Sequence, residues 1–158
     1  MKKVITTLLT ALAGGIVGAV AASKIWKKKC TISDDWIKKF LEFYNVLNRW
    51  LAVKQSGRSY AKFFEKKQYK TIAIYGMKEL GERLYDELKD SNIKVAYAID
   101  RNADRIYSEL DIVTPDDELS KVDAIVVTAI HYYDEIESML AEKVDYPIIS
   151  IEDIIYEL

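Results

Sequence analysis

KTIAIYGMKELGERLYDELKDSNIKVAYAID, residues 70–100, has the pattern of a strand, a tight glycine turn, a helix and a second strand closed by an aspartate. Thr71–Tyr75 is short, apolar and rich in β-branched residues, as a fully buried parallel strand requires. Gly76 permits a sharp turn. Leu80, Leu84, Tyr85 and Leu88 recur at helical spacing and predict one face packed on a sheet. Ile93–Ile99 reads as the next strand, with Asp100 at its carboxyl end.

A strand, a glycine turn and a helix in this order also form the first half of a dinucleotide-binding fingerprint, Gly-x-Gly-x-x-Gly. Here the run is Gly76-Met77-Lys78-Glu79-Leu80-Gly81. The first and third glycines are present, and an acid follows at about the expected distance. Lys78 stands where the middle glycine would let the backbone approach a pyrophosphate. Two readings follow: Lys78 adds a positive charge at a helix N-terminus where a phosphate would sit, or its bulk closes the site and only the sheet is kept.

Working outward toward the C-terminus, the chain continues to alternate. Arg101–Arg105 is a polar turn, and Ile112-Val113 a weak third strand stopped by Pro115. Thr114–Glu118 predicts the start of a short helix with Pro115 at its first position. Asp123–Ile130 is the most strand-like run and the expected central strand. His131 and Tyr132 follow it, then a helix from Tyr133 to Lys143, a fifth strand at Pro147–Ser150 and a closing helix at Ile151–Glu157. Strands alternating with helices predict an α/β fold: a Rossmann-like, doubly wound parallel sheet of five strands, simplest in the order 3-2-1-4-5.

In that order the switch point lies between the first and fourth strands, and ligands bind outside the carboxyl ends there. The crevice would gather Gly76, Met77, Lys78, Thr128, Ala129, Ile130 and His131, with Asp100 beside it. Asp100 suits a ribose diol or a simple turn, and Arg101 suits a phosphate. His131 is the single histidine; it is either solvated or a ligand and proton-transfer group. One of Tyr132 and Tyr133 could stack on a base while the other joins the core.

Toward the N-terminus the composition changes. Residues 24–70 carry 13 Lys or Arg against 4 Asp or Glu, whereas residues 71–158 carry 8 against 21. The overall formal charge of −2 thus hides a basic neck and an acidic domain, which argues against nucleic acid as the domain's partner. Val4–Ser23 is 20 residues without a charge, enough to cross about 30 Å of hydrocarbon. Lysines 24, 27, 28 and 29 outweigh Lys2 and Lys3, so the positive-inside rule places the remainder in the cytoplasm. The expectation is a transmembrane anchor over 1–23, a basic helical neck over 24–69 and a nucleotide-binding domain over 70–158. A secretory signal cut after Ala19-Val20-Ala21, with a secreted product, is the alternative; the lysines beyond it oppose translocation.

Gly14 and Gly18 form a Gly-x-x-x-Gly pair that serves a homodimer or arises from composition alone. The single Cys30 excludes an intramolecular disulfide framework and fits a reducing compartment. In the neck, Ser33 is a candidate N-cap. Trp36, Ile37, Phe40, Leu41, Tyr44, Leu47 and Leu51 form a helical stripe, widened by Phe43 and Trp50. Gly57 ends that helix, and Ser59–Lys67 predicts a second one with Tyr60, Phe63 and Phe64 inward. Packing on the domain's own sheet is the expectation for this pair; a partner surface or a membrane interface is the alternative. Its basic excess would attract anionic headgroups at about 1 kcal/mol per charge.

The chain has no cysteine–histidine metal cluster, no Gly-rich Lys-Ser/Thr phosphate loop and no Gly-x-Ser-x-Gly elbow. Nothing after the fifth strand supplies a substrate domain, so a stand-alone dehydrogenase is not expected.

From Tyr69 to Leu158 the chain resembles the small Rossmann-like modules of bacterial surface-polysaccharide enzymes. These include the N-terminal domain of bacillosamine-type sugar N-acetyltransferases and modules attached to glycosyltransferases. Ile74-Tyr75-Gly76 with Gly81, Ala98–Asn102 and Asp123–Thr128 carry the resemblance. It implies that Gly76, Gly81 and Asp100 hold the nucleotide of a nucleotide-linked sugar, and it makes a glycosyltransferase a candidate partner. Lys78 departs from the family's pattern and bears on pyrophosphate contact. The hexapeptide-repeat helix of the acetyltransferases is missing, so their reaction does not carry over. The expected function is a membrane-anchored, cytoplasmic nucleotide- or nucleotide-sugar-binding accessory module in cell-envelope polysaccharide assembly, without catalysis of its own. The alternatives are a degenerate Rossmann scaffold acting through the aromatic neck, and a small NAD(P)-linked enzyme completed by a partner.

Overall fold

The computed structural model describes residues 34–158. The expected membrane span, the Gly14/Gly18 pair, Cys30, the lysine cluster at 24–29 and the Ser33 cap lie outside them. Among the described residues, no helix is long and apolar enough to cross a membrane.

Five parallel strands form the sheet: β1 (Thr71–Tyr75), β2 (Lys94–Ile99), β3 (Ile112–Val113), β4 (Ala124–Val127) and β5 (Ile148–Ser150). Their order is β3-β2-β1-β4-β5, as expected from the alternation of elements. Five helices accompany them in the described residues. These are α1 (34–55), α2 (Tyr60–Lys66), α3 (Glu79–Leu88), α4 (Tyr133–Ala141) and α5 (Ile151–Glu157). The central strands β1 and β4 are short runs of apolar residues buried almost throughout, because both faces of the sheet are covered.

Two cores result. On one face Ile72, Ile74, Ala98, Ala124 and Val126 meet Leu84 and Leu88 of α3, Phe63 and Phe64 of α2, and Ile154 and Ile155 of α5. On the other, Ala73, Tyr75, Ile99, Ile125 and Val127 meet Ile136 and Leu140 of α4. A Leu or Ile buried this fully contributes about 1.5–3 kcal/mol relative to exposure.

A bulge in β2 aims the site. The pairing runs Ile72 with Val95 and then Ala73 with Tyr97, so Ala96 is the extra residue. Val95 packs on the α3 face, Ala96 and Tyr97 both lie on the α4 face, and the alternation resumes with Ala98 and Ile99. A one-residue slip turns every later side chain to the opposite face. It therefore sends Asp100 to the α3 side, where the glycine turn lies. Nothing in the sequence of β2 marks this bulge.

Phe43–Leu158 is one compact unit. Within it α1 buries Val46, Trp50 and Val53, and Trp50 stacks on Tyr60 of α2 with ring centroids 4.6 Å apart. The packed edge is the one marked by Phe43 and Trp50, the residues that widen the stripe, whereas Tyr44, Leu47 and Leu51 of the stripe itself are exposed. Both faces of the helix carry apolar residues, so periodicity alone could not rank them. Residues 34–42 are helical, and there Trp36 is 72% exposed and Phe40 68%. Gly57 ends α1 with φ +71°, as its position predicted.

The helix expected from Thr114 is absent. The Asp117 carboxylate accepts hydrogen bonds from Thr114 N (2.7 Å) and Thr114 Oγ1 (2.9 Å), which closes a turn instead. The strand expected over Asp123–Ile130 is confined to Ala124–Val127. It is cut at one end by Asp123, whose carboxylate accepts from Lys70 N (2.7 Å) and Thr71 N (2.8 Å).

These two backbone bonds hold the Asp123 carboxyl below the usual carboxylate range. A group depressed on folding adds stability above its unfolded pKa of about 3.9 and loses it as pH falls through the folded value. Asp123→Asn should therefore flatten the fall in melting temperature between about pH 5 and pH 2. An unchanged acid profile in thermal melts would remove this role.

Candidate functional site

At the carboxyl ends of β1 and β4 lies a crevice of about 320 Å³, near the lower end of the usual range for small-molecule sites. One wall is the turn from β1 into α3: Gly76, Lys78, Glu79 and Leu80. The end of β2 supplies Asp100, Arg101 and Asn102. The segment after β4 supplies Thr128, Ala129, Ile130, His131 and Tyr132. Tyr75 and Ile136 line it from the α4 side, and Phe43 of α1 contributes a further aromatic edge. Of the ten residues singled out from sequence, eight thus meet here: Gly76, Lys78, Asp100, Arg101, Thr128, Ala129, Ile130 and His131. Two do not. The Met77 side chain is buried in the core beneath α3, and Gly81 acts inside the helix packing.

The glycines have separate tasks. Gly76 has φ +95°, and an added Cβ would approach Thr128 Oγ1 to 3.0 Å. Its N–H donates to Ile99 O at 2.8 Å, tying the turn to β2. At Gly81 an added Cβ would overlap the carbonyl oxygen of Gly76, so this glycine lets α3 seat directly on the turn. Thr128 braces the same turn from β4. Its N–H donates to Tyr75 O at 2.9 Å, and its hydroxyl lies within hydrogen-bond reach of the Tyr75 and Gly76 carbonyls.

Asp100 is 6% exposed and ties the other side. Its Oδ2 accepts from Met77 N at 3.1 Å and its Oδ1 from Asn102 N at 2.9 Å. Each oxygen retains a second lone pair for a ligand hydroxyl. The first task of this carboxylate is nonetheless to hold the turn.

Charges are mixed around the mouth. Lys78 is the N-cap residue of α3, exposed, and makes no side-chain cap bond. The first N–H groups of a helix lack partners within it, so this end favours an anion. Glu79 and Glu82 in the first turn of α3 partly occupy that favourable field. Arg101 pairs with Glu135 of α4 at 3.0 Å, both side chains being well exposed. An exposed pair of this kind is screened by water and readily exchanged. His131 lies in a single 3₁₀ turn, Ile130–Tyr132, that leads into α4.

Tyr75 was missed by sequence reasoning. It is 4% exposed, and its hydroxyl is buried beside Arg101 without a well-formed hydrogen bond. Burial pushes this hydroxyl above its ordinary pKa, an effect countered in part by Arg101. The available signal was a polar-tipped aromatic directly before the turn glycine, where Val or Ile would complete a buried strand. The two tyrosines after β4 have different surroundings. Tyr132 is exposed at the crevice, whereas the Tyr133 side chain packs on the core beneath α4, with its hydroxyl 2.8 Å from Glu137 Oε1 and 3.1 Å from Ile148 O. No group of three or more potential metal ligands occurs among the described residues.

The protein-family model described as C2185-like, N-terminal matches residues 68–152. That span contains all five strands and every wall of the crevice except Phe43. Neither the curated proteins nor the solved structures contain a match.

Proposed function

The chain belongs to the C2185-like, N-terminal family, and we propose that its crevice binds a nucleotide or nucleotide-linked sugar as a Rossmann-like module without catalysis of its own. The observation that carries this reading is the meeting of Gly76, Lys78, Asp100 and Arg101 at the carboxyl ends of β1 and β2 beside β4. This is the switch point at which open parallel sheets take ligands. Lys78 and Arg101 supply cations for phosphate, Asp100 keeps acceptor capacity for a ribose hydroxyl, and Phe43 and Tyr132 offer aromatic surface for a base. The volume of about 320 Å³ favours one mononucleotide unit over a full dinucleotide such as NAD(P). Anchoring by Val4–Ser23 and the basic neck, with the domain in the cytoplasm, belongs to the same proposal and rests on sequence. Its setting in surface-polysaccharide assembly rests on the resemblance noted above.

A second reading, an interaction scaffold, is favoured by the apolar side chains that α1 leaves exposed. Thermal shift of the full-length chain against UDP, UDP-sugars, CDP, ATP, NAD and NADPH separates the two. A ligand at 100 times its Kd adds about 2.7 kcal/mol, a rise of several degrees. The expected result is a selective rise with one uridine or cytidine compound, with affinity reduced about fivefold in Lys78→Ala. A cooperative melt that no compound moves would favour the scaffold.

A further inference from the structure

We propose that the Tyr75 hydroxyl is a ligand-binding group, donating to a phosphate oxygen that takes Arg101 away from Glu135. The inference rests on the nucleotide reading of the crevice and adds the residue and the chemistry that reading lacks. Three observations converge on it. The Tyr75 hydroxyl is shut off from solvent and has no satisfactory partner, and a buried donor left unmade is costly unless something supplies its acceptor. It stands beside Arg101, with Asp100 and Glu135 also in its surroundings, and Arg101 and Asp100 line the crevice. The guanidinium next to it is held by an exposed ion pair to Glu135 at 3.0 Å and lies against the Tyr75 oxygen; being a donor only, it offers the hydroxyl proton no acceptor.

The required ligand chemistry follows from the donors. A phenol held in its neutral form can give one proton, and Arg101 and Lys78 are donors only. The group that satisfies all three must be an anion with several acceptor oxygens, and the first turn of α3 on the same crevice favours the same charge. A phosphate meets these needs, and it can compete with Glu135 for the fork of Arg101. Tyr60 provides a contrast. Its hydroxyl is also buried without a partner, but it lies in the core between α1 and α2 and lines no part of the crevice.

The test uses the full-length chain, with UDP, ADP and inorganic pyrophosphate as probes in calorimetric titration. Tyr75→Phe removes the hydroxyl and keeps the ring. It should weaken binding of the best probe about tenfold while leaving the melting temperature of the free chain unchanged or slightly raised. Glu135→Gln should release Arg101 and tighten the same probe two- to fivefold. A preference for UDP or ADP over pyrophosphate would identify a nucleotide as the source of the phosphate; equal binding of pyrophosphate would support a phosphate subsite alone. Binding by Tyr75→Phe within twofold of the parent overturns the proposal and leaves the nucleotide reading standing. So does a lower melting temperature of free Tyr75→Phe, because the hydroxyl would then have a partner already. If the parent chain binds none of the probes, the nucleotide reading fails and this proposal falls with it.

Discussion

Gly81→Ala should lower the melting temperature of the chain by about 10 °C, although alanine is the better helix former. Two effects of opposite sign compete. Within a helix, Gly to Ala is worth about 1 kcal/mol in favour of the variant. Against it stands an overlap between the new Cβ and the carbonyl oxygen of Gly76, a backbone atom rather than the end of a flexible side chain. That oxygen belongs to a turn held by Gly76 N to Ile99 O and by Thr128, so it has little freedom to retreat. Overpacking typically costs about 1–3 kcal/mol and occasionally more; against a backbone atom with so little freedom it falls at the upper end, and the clash wins. Displacement of α3 would also move Leu80, Leu84 and Leu88 in the core beneath it. A rise in melting temperature, as propensity alone predicts, would show that α3 is not seated on the turn.

Asp100→Ala should cost about 3 kcal/mol with no ligand present. The substitution leaves two backbone donors, Met77 N and Asn102 N, without the carboxylate that now accepts from both. Hydrogen bonds to a charged group are worth about 1.5–3 kcal/mol each, and the loss is greatest where water cannot replace the acceptor. Met77 is 3% exposed, so its N–H is the more expensive orphan. Asp100→Asn should fall between parent and alanine variant, because its amide retains one acceptor oxygen and places an NH2 against the other donor. Urea unfolding measures both variants. A change below about 0.5 kcal/mol in Asp100→Ala, the range of ordinary surface substitutions, would mean the carboxylate is not bracing the turn. The result bears on function too. Lost ligand binding in Asp100→Ala cannot by itself prove a ribose contact, so Lys78 and Tyr75 are the better probes.

Much of this architecture was legible from local pattern. Parallel strands announce themselves as apolar, β-branched runs, which is why the pattern gives buried Thr71–Tyr75 and half-buried Ile112–Val113 the bounds they have. The alternation of elements then led to the sheet order. What local pattern could not carry was set by contacts distant in sequence. The Ala96 bulge depends on how β2 meets β1, and no glycine marks it. Asp117 bonding back to Thr114 replaced an expected helix with a turn. On α1 the stripe from Trp36 to Leu51 is exposed; of the residues the periodicity marks only Phe43 and Trp50 at its edge pack, together with Val46 and Val53, which it does not mark.

The candidate site divides in the same way. Gly76, Lys78 and Asp100 follow from position in a strand–turn–helix–strand unit. The bracing bonds of Asp100 and Thr128, the Arg101–Glu135 pair and the unpartnered hydroxyl of Tyr75 arise only when β1, β2, β4 and α4 are assembled.

The most direct test of the central claim is an amide NMR titration of isotope-labelled full-length chain with the nucleotide giving the largest thermal shift. The account predicts saturable shifts confined to the crevice: the amides of Gly76–Leu80, Arg101–Asn102 and Ala129–Tyr132, with α2 and α5 unmoved. Saturable shifts centred on α1 instead, or none at any concentration tried, would contradict a nucleotide site at the ends of β1 and β4.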